Sequence, residues 1–188
     1  MAVELFRSGL LEGQAIVLAA GAGAYGDAAA DACAQLGASV QLLGADPLDE
    51  DATMAAVQRL ERVDVLVDDA AARFAVGGLR AATDGAWIAA RAVATSAMIE
   101  AENGGKLVFL APPPGAGEHA EATRAALENL ARTTSIEWAR YAIRPTTITP
   151  GAATTAEEVG GLVAFLASPA GDYYSGCRFS LGEAVPAW

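Results

Sequence analysis

The chain has 188 residues, of which 53% are apolar and 19% charged, and its net charge is −11. This length fits one compact domain, residues 1–188, that buries roughly 70% of the surface of its unfolded chain. The negative charge disfavours nucleic acids and anionic membranes as partners, because both require a positively charged surface. Cys33 and Cys177 form no CxxC pair and there is no histidine cluster, so neither a disulfide framework nor a metal site is predicted. The first ten residues lack the apolar core of a signal peptide, and we expect a reduced, cytoplasmic protein.

Short apolar runs alternate with longer helical segments along the chain. Buried strands are predicted at 15–19, 40–43, 64–67, 106–111, 146–149 and 177–181. Helices are predicted at 27–37, 50–63, 85–103, 119–141 and 155–168. The alternation predicts an α/β fold, in which a doubly wound parallel sheet of about six strands carries helices on both faces, in the Rossmann manner.

A glycine-rich turn follows the first predicted strand. Gly21, Gly23 and Gly26 form the pattern GxGxxG between a strand and a helix, and Asp46 follows 20 residues after the last of them. Glycines and an acid at this spacing can hold the pyrophosphate and the ribose of a dinucleotide. The same glycines can instead serve a tight turn with close packing, and the sequence leaves both interpretations open.

The charges around the turn favour the packing interpretation. No lysine or arginine occurs between Arg7 and Arg59, whereas Asp27, Asp68 and Asp69 are all expected near the turn. A pyrophosphate docks on the backbone N–H groups of a helix N-terminus, and neighbouring carboxylates would repel it.

Most of the chain, residues 14–185, resembles the short-chain dehydrogenase/reductase family. The resemblance is carried by VDVLVDDAA (63–71), GGKLVFLAPP (104–113), TRAALENLARTTSIEWARYAIRPTTITPGA (123–152) and EEVGGLVAFLASPAGDYYSGCRFSLGEA (157–184). It implies a Rossmann fold, NAD(P) as the cofactor, and catalysis by a serine, a tyrosine and a lysine assisted by an asparagine.

The positions that match the family's catalytic residues lack the required side chains. Pro112 stands at the serine position, Ala120 at the tyrosine, Arg124 at the lysine, and the asparagine position falls near Ala82. In the family, the lysine lies one helical turn from the tyrosine and lowers the pKa of its phenol, which then exchanges a proton with the substrate. Ala120 and Pro112 have no hydroxyl group, and Arg124, with a pKa above about 12, cannot relay a proton. We therefore predict no catalytic residue at these positions.

Two nearby side chains are alternative proton donors. His119 is adjacent to the missing tyrosine, but consecutive helical residues point about 100° apart, so we expect a solvated residue at the helix end. Tyr25 lies within the glycine turn, and we expect it to cover a vacant nucleotide pocket.

Three further departures suggest that catalysis has been lost. Only about 20 residues separate the second and third predicted strands, so the helix, strand and helix that the family places there are reduced to one helix, and the family's third strand is expected to be missing. The last helix begins a few residues after Pro150 and Gly151, which leaves no lid to exclude water. In the family's own register of the turn, Ala20 and Ala24 replace two of its three glycines.

The alanine-rich helices 85–103 and 119–141 correspond to helices through which family members commonly assemble. With a mean hydropathy of +0.31, this chain has apolar surface to cover, and its apolar end, residues 184–188, either docks on a partner or frays. The leading hypothesis is a non-catalytic subunit, a pseudoenzyme without cofactor, that assembles with itself or with a catalytically active paralogue. The alternatives are an NAD(P)-dependent oxidoreductase with a relocated acid such as His119, and a nucleotide-binding sensor.

Overall fold

The computed structural model describes residues 6–19 and 23–182. Its strands are β1 (Ala15–Ala19), β2 (Ser39–Leu42), β3 (Val65–Asp68), β4 (Gly105–Leu110), β5 (Ile143–Pro150) and β6 (Cys177–Leu181). Its α-helices are α1 (Ala24–Gln35), α2 (Glu50–Val57), α3 (Ala70–Val93), α4 (Ala120–Glu137) and α5 (Ala156–Ala167), and α3 continues into a π-helical segment, Ala94–Ile99. All strand pairs are parallel, and the sheet has the order β2-β1-β3-β4-β5-β6.

Helices cover both faces of this sheet, which confirms the doubly wound α/β prediction. Alternate side chains of each strand point to opposite faces, so Val17, Leu66 and Phe109 pack in the cluster beneath α2, α3 and α4. Their neighbours Ile16 and Val65 pack in the cluster beneath α1 and α5. The carboxyl ends of the parallel strands therefore meet at one edge of the sheet, where ligands of such folds bind.

Helix α3 begins much earlier than predicted. It starts at Ala70, directly after β3, because the side chain of Asp69 accepts a hydrogen bond from the backbone N–H of Ala72 and caps the helix. The helix is kinked at Gly78, where φ is 68° and ψ is −159°. The predicted start at residue 85 was wrong. Gly77 and Gly78 interrupt the helical pattern of the sequence, but in the structure the helix continues after the kink.

The outer strands β2 and β6 are less buried than predicted. Each pairs with one neighbour only among the described strands, and Leu42 of β2 is 71% exposed. Helix α2 is the only α-helix between β2 and β3, so the sheet lacks the strand that the family resemblance places there, as expected.

The described part of the chain contains no helix that is long and apolar enough to cross a membrane. Cys33 is buried, Cys177 is partly exposed, and neither is in a disulfide. Within residues 6–19 and 23–182, no group of histidine, cysteine and acidic residues is arranged to hold a metal ion.

Candidate functional site

The predicted cofactor residues lie in two places. Gly23 and Gly26 are at the N-terminus of α1, whereas Gly21 is outside the described residues. Asp46 is exposed in the loop after β2, and its Oδ1 accepts a hydrogen bond from the N–H of Leu48 at 3.0 Å. That contact is an Asx turn, which stabilises the loop locally.

A buried carboxylate joins the N-termini of two helices. Asp69 accepts a hydrogen bond from the N–H of Gly26 in α1 at 2.8 Å and, with its other oxygen, one from the N–H of Ala72 in α3 at 2.9 Å. Only 1% of its surface is exposed. Burial raises the pKa of Asp69, and the two backbone hydrogen bonds oppose that rise. Because helix N-termini attract anions, Asp69 supplies from within the chain the negative charge that a ligand would bring.

The glycines at the start of α1 make room for this carboxylate. A Cβ atom at Gly23 would lie 2.5 Å from Asp69 Oδ2 and 2.5 Å from the Cβ of Ala72, and one at Gly26 would lie 2.8 Å from Asp69 Oδ2. Gly23 has a φ of −146°, which any residue can adopt, so close approach and not backbone conformation requires a glycine there. Asp27, in contrast, is exposed. The described half of the turn therefore supports the packing interpretation.

Next to Asp69 lies a buried ion pair that the sequence did not indicate. Arg73 donates a hydrogen bond from Nη2 to Asp68 Oδ1, and another from Nη1 to the carbonyl of Ala19, at 3.0 Å, at the end of β1. Asp68 is 0% and Arg73 5% exposed, and within the described residues Asp68 Oδ2 and Arg73 Nε make no hydrogen bond. Burial raises the pKa of Asp68 to about 6, although Arg73 lowers it. The guanidinium fits because residue 85 is a glycine, since a Cβ atom there would lie 2.6 Å from Arg73 Nε.

The positions of the family's catalytic residues form packed structure. Ala82 and Ala120 are 0% and 3% exposed and belong to the same apolar cluster. Arg124 is buried, and its Nη1 donates to the carbonyl of Pro112 at 2.9 Å and to that of Pro150 at 2.7 Å. Arg124 therefore ties together the chain segments at the carboxyl ends of β4 and β5.

The two alternative proton donors lie in different surroundings. His119 is the residue before α4, has a φ of 67°, and holds its ring 60% exposed, with Nε2 3.5 Å from Glu118 Oε1. Tyr25 is in the first turn of α1, partly buried against the cluster beneath α1 and α5. Burial, and secondarily the charge of Asp69, raises the pKa of Tyr25, while Arg124 lowers it. A catalytic tyrosine needs a lowered pKa.

Two grooves on the surface of α3 meet at Trp87. One, of about 300 Å³, lies between α3 and α4 and is lined by Thr83, Ala126 and Leu130, among others. The second, of about 410 Å³, extends from Trp87 to Leu48. Trp87 is 40% exposed and stacks on Trp138, with ring centroids 6.2 Å apart and planes 9° apart.

The fold is similar to that of several solved dehydrogenases. Over 94% of this chain and 96% of the other, it matches the citronellol catabolism dehydrogenase AtuB of Pseudomonas aeruginosa PAO1, with a TM-score of 0.78 and 24% identity. A hydroxysteroid dehydrogenase from Escherichia coli matches over 92% of this chain and 97% of its own, with a TM-score of 0.77 and 19% identity. A Serratia marcescens short-chain dehydrogenase/reductase matches over 92% and 97%, with a TM-score of 0.75 and 21% identity.

No protein-family model matches the sequence, and no curated protein matches it. The structural likeness extends over nearly the whole of each chain at low sequence identity. The chain therefore has the fold of the short-chain dehydrogenases/reductases.

The contacts of Asp69 predict a large loss of stability in Asp69→Ala. The N–H groups of Gly26 and Ala72 would lose their acceptor, and a lost helix cap and a buried donor without a partner each cost about 1–2 kcal/mol. We expect the free energy of unfolding, measured by urea denaturation, to fall by about 2–4 kcal/mol. Asp27→Ala, which removes an exposed acid from the first turn of α1, should cost less than about 1 kcal/mol. Equal losses in the two variants would contradict the capping role.

The raised pKa of Asp68 predicts stability that falls with rising pH. The pKa of Asp68 is about 6 in the folded chain and 3.8 when the side chain is in water, as in the unfolded chain. Between these two pH values the folded state therefore binds more protons than the unfolded state. The contribution of Asp68 to the free energy of unfolding is then greatest below about pH 4 and declines until about pH 6, by on the order of 1–3 kcal/mol. Asp69, whose pKa is also raised, contributes in the same direction.

Urea denaturation at several pH values between 4 and 7 measures this slope. Other carboxylates also titrate in this range, so two variants are compared. Asp68→Asn should flatten the slope, whereas Asp84→Asn, at a half-exposed acid paired with Arg80, should not. Equal slopes in the two variants would show that Asp68 is not responsible.

Proposed function

We propose that this chain is a non-catalytic subunit with the fold of a short-chain dehydrogenase/reductase, a pseudoenzyme that assembles with itself or with an active paralogue and binds no dinucleotide. The observation that carries the proposal is the buried carboxylate of Asp69, which accepts the N–H of Gly26 at the N-terminus of α1. In enzymes of this architecture, that helix end receives the pyrophosphate.

The residues present do not fit NAD(P). A pyrophosphate at α1 would lie beside the carboxylate of Asp69, and the neighbouring Asp68 and Arg73 already neutralise each other. Asp46, the expected ribose ligand, is held in a turn by Leu48. Repulsion between buried like charges is large, because the protein interior screens charge weakly.

Among the described residues, the edge of the sheet also lacks an accessible group at the family's positions for proton transfer. Ala120 is a buried alanine, and Arg124 holds the carbonyls of Pro112 and Pro150. Asp68 has a pKa of about 6, but it is 0% exposed and faces Arg73, where no substrate can reach it.

The groove between α3 and α4 is the surface that we assign to assembly. It is apolar at Trp87 and Leu130, with small or uncharged residues such as Thr83 and Ala126 around them. An apolar centre with an uncharged lining is typical of subunit interfaces. A catalytically active paralogue would present corresponding helices to the same groove.

The alternative is an NAD(P)-dependent oxidoreductase with a divergent site. Its support is the overall likeness to AtuB and to the hydroxysteroid dehydrogenase. It requires a relocated acid, and His119 is the candidate closest in sequence to the missing tyrosine. A nucleotide-binding sensor would need the cofactor site but no acid.

Calorimetric titration with NAD(H) and NADP(H) separates these functions. We expect no heat of binding and no rise in melting temperature, because Asp69 occupies the helix end. A ligand at 100 times its Kd would stabilise the chain by about 2.7 kcal/mol, which is readily detected. Binding without turnover would replace the proposal with the sensor, and binding with substrate-dependent oxidation of NAD(P)H would replace it with the oxidoreductase.

The assembly surface is tested by Ala126→Arg, which places a charged side chain in the groove between α3 and α4. We expect the oligomer, measured by size-exclusion chromatography with light scattering, to dissociate at least tenfold more readily. The matched control is Ala34→Arg, at an exposed alanine of α1 on the opposite face of the sheet. A wild-type chain that is monomeric both alone and with a co-expressed paralogue would contradict this assignment.

A further inference from the structure

We propose that the open edge of β2 is a second self-association site, at which β2 pairs antiparallel with β2 of a second copy of the chain. This edge is distinct from the groove between α3 and α4 and does not depend on the proposed function. Among the described strands, β2 pairs with β1 only.

The hydrogen bonds of β2 show which backbone groups are directed outward. Ser39 donates its N–H to Gln14, and Leu43 donates its N–H to Leu18, both at 2.9 Å, on the side of β1. In a parallel ladder, alternate residues direct both their N–H and their C=O to the same neighbour. Val40 and Leu42 therefore direct these groups away from β1, to the side where no described strand lies.

Apart from its short length of four residues, this edge lacks the features that normally prevent strand pairing. Residues 37–44, GASVQLLG, contain no charged residue and no proline, and the side chain of Leu42 is 71% exposed. Proteins usually protect such edges with lysine, proline or a covering element. The opposite edge strand, β6, follows that rule, since Arg178 projects from it and pairs with Glu128 at 3.1 Å.

A second copy fits this edge because antiparallel pairing of a strand with itself is self-complementary. With Gln41 on the twofold axis, Val40 of one copy exchanges two hydrogen bonds with Leu42 of the other, and the symmetric pair does the same. The contact buries no charge, which suits a chain of net charge −11. Acids near this edge, such as Glu12, which lies beside Gly37, and Asp46, which follows the segment in the chain, weaken the pairing by repulsion, so added salt should tighten it.

Such a contact is small. One strand pair and the exposed Leu42 bury less than the roughly 1,200–2,000 Å² of a standard interface, so we expect a weak dimer that forms at high protein concentration. Together with the helix groove, it would give each copy two separate twofold contacts, which link dimers into tetramers or longer assemblies.

The test is sedimentation velocity over a range of protein concentrations, in the Ala126→Arg background so that the helix groove does not contribute. We expect a monomer–dimer equilibrium that Leu42→Lys weakens at least tenfold. The matched control Val76→Lys, at a residue that is 94% exposed on α3, should leave the dimer unchanged. Both variants change the net charge equally and reduce the overall repulsion, so loss of the dimer in Leu42→Lys alone identifies the edge.

Hydrogen exchange gives a second measurement that does not rely on a substitution. The amides of Val40 and Leu42 should become protected as the concentration of the Ala126→Arg chain rises, whereas the amides of Ser39 and Leu43, already bonded to β1, should not change. Exchange that is independent of concentration, or equal loss of dimer in the two lysine variants, would overturn the proposal.

Discussion

The structure depends on one interaction, the contact of the Asp69 carboxylate with the N-termini of α1 and α3. It joins two segments that are 43 residues apart in sequence, through the N–H groups of Gly26 and Ala72. The close approach it requires leaves no room for side chains at Gly23 and Gly26. It also starts α3 directly after β3, which fixes where Arg73 and the kink at Gly78 lie. The buried carboxylate of Asp69 thus explains why residues 23 and 26 at this edge of the sheet are glycines.

The other buried charged side chains at this edge also have partners within the chain, although Asp68 Oδ2 and Arg73 Nε make no hydrogen bond within the described residues. Asp68 pairs with Arg73, and Arg124 donates to the carbonyls of Pro112 and Pro150. Buried ion pairs add little net stability, because desolvation offsets their attraction, but removing one partner is costly. These contacts therefore hold the strand ends in one arrangement more than they increase the overall stability. Enzymes of this fold class use the same edge to bind ligands from solution.

The sequence predicted most of the fold and little of the site. Strand positions and the order of strands and helices could be predicted, because apolar runs and helical periodicity are local signals. The start of α3 could not, because it depends on Asp69 acting as a cap, and because Gly77 and Gly78, farther along the segment, suggest a break in the sequence. The sequence also could not predict which carboxylate accepts the N–H of Gly26. Asp27 is closer in sequence, whereas only the paired registers of β1 and β3 bring Asp69 to the turn.

The proposed lack of nucleotide binding and the stability of the fold depend on the same side chain, the carboxylate of Asp69. A helix N-terminus carries about half a positive charge, spread over a few N–H groups, and it can favour one nearby anion. While Asp69 occupies that position, a pyrophosphate gains less from the helix and is repelled by the carboxylate. Removing Asp69 would relieve the repulsion but leave the N–H groups of Gly26 and Ala72 without an acceptor. For the proposed non-catalytic subunit, a single substitution at Asp69 therefore would not create a nucleotide site without weakening the junction of α1 and α3.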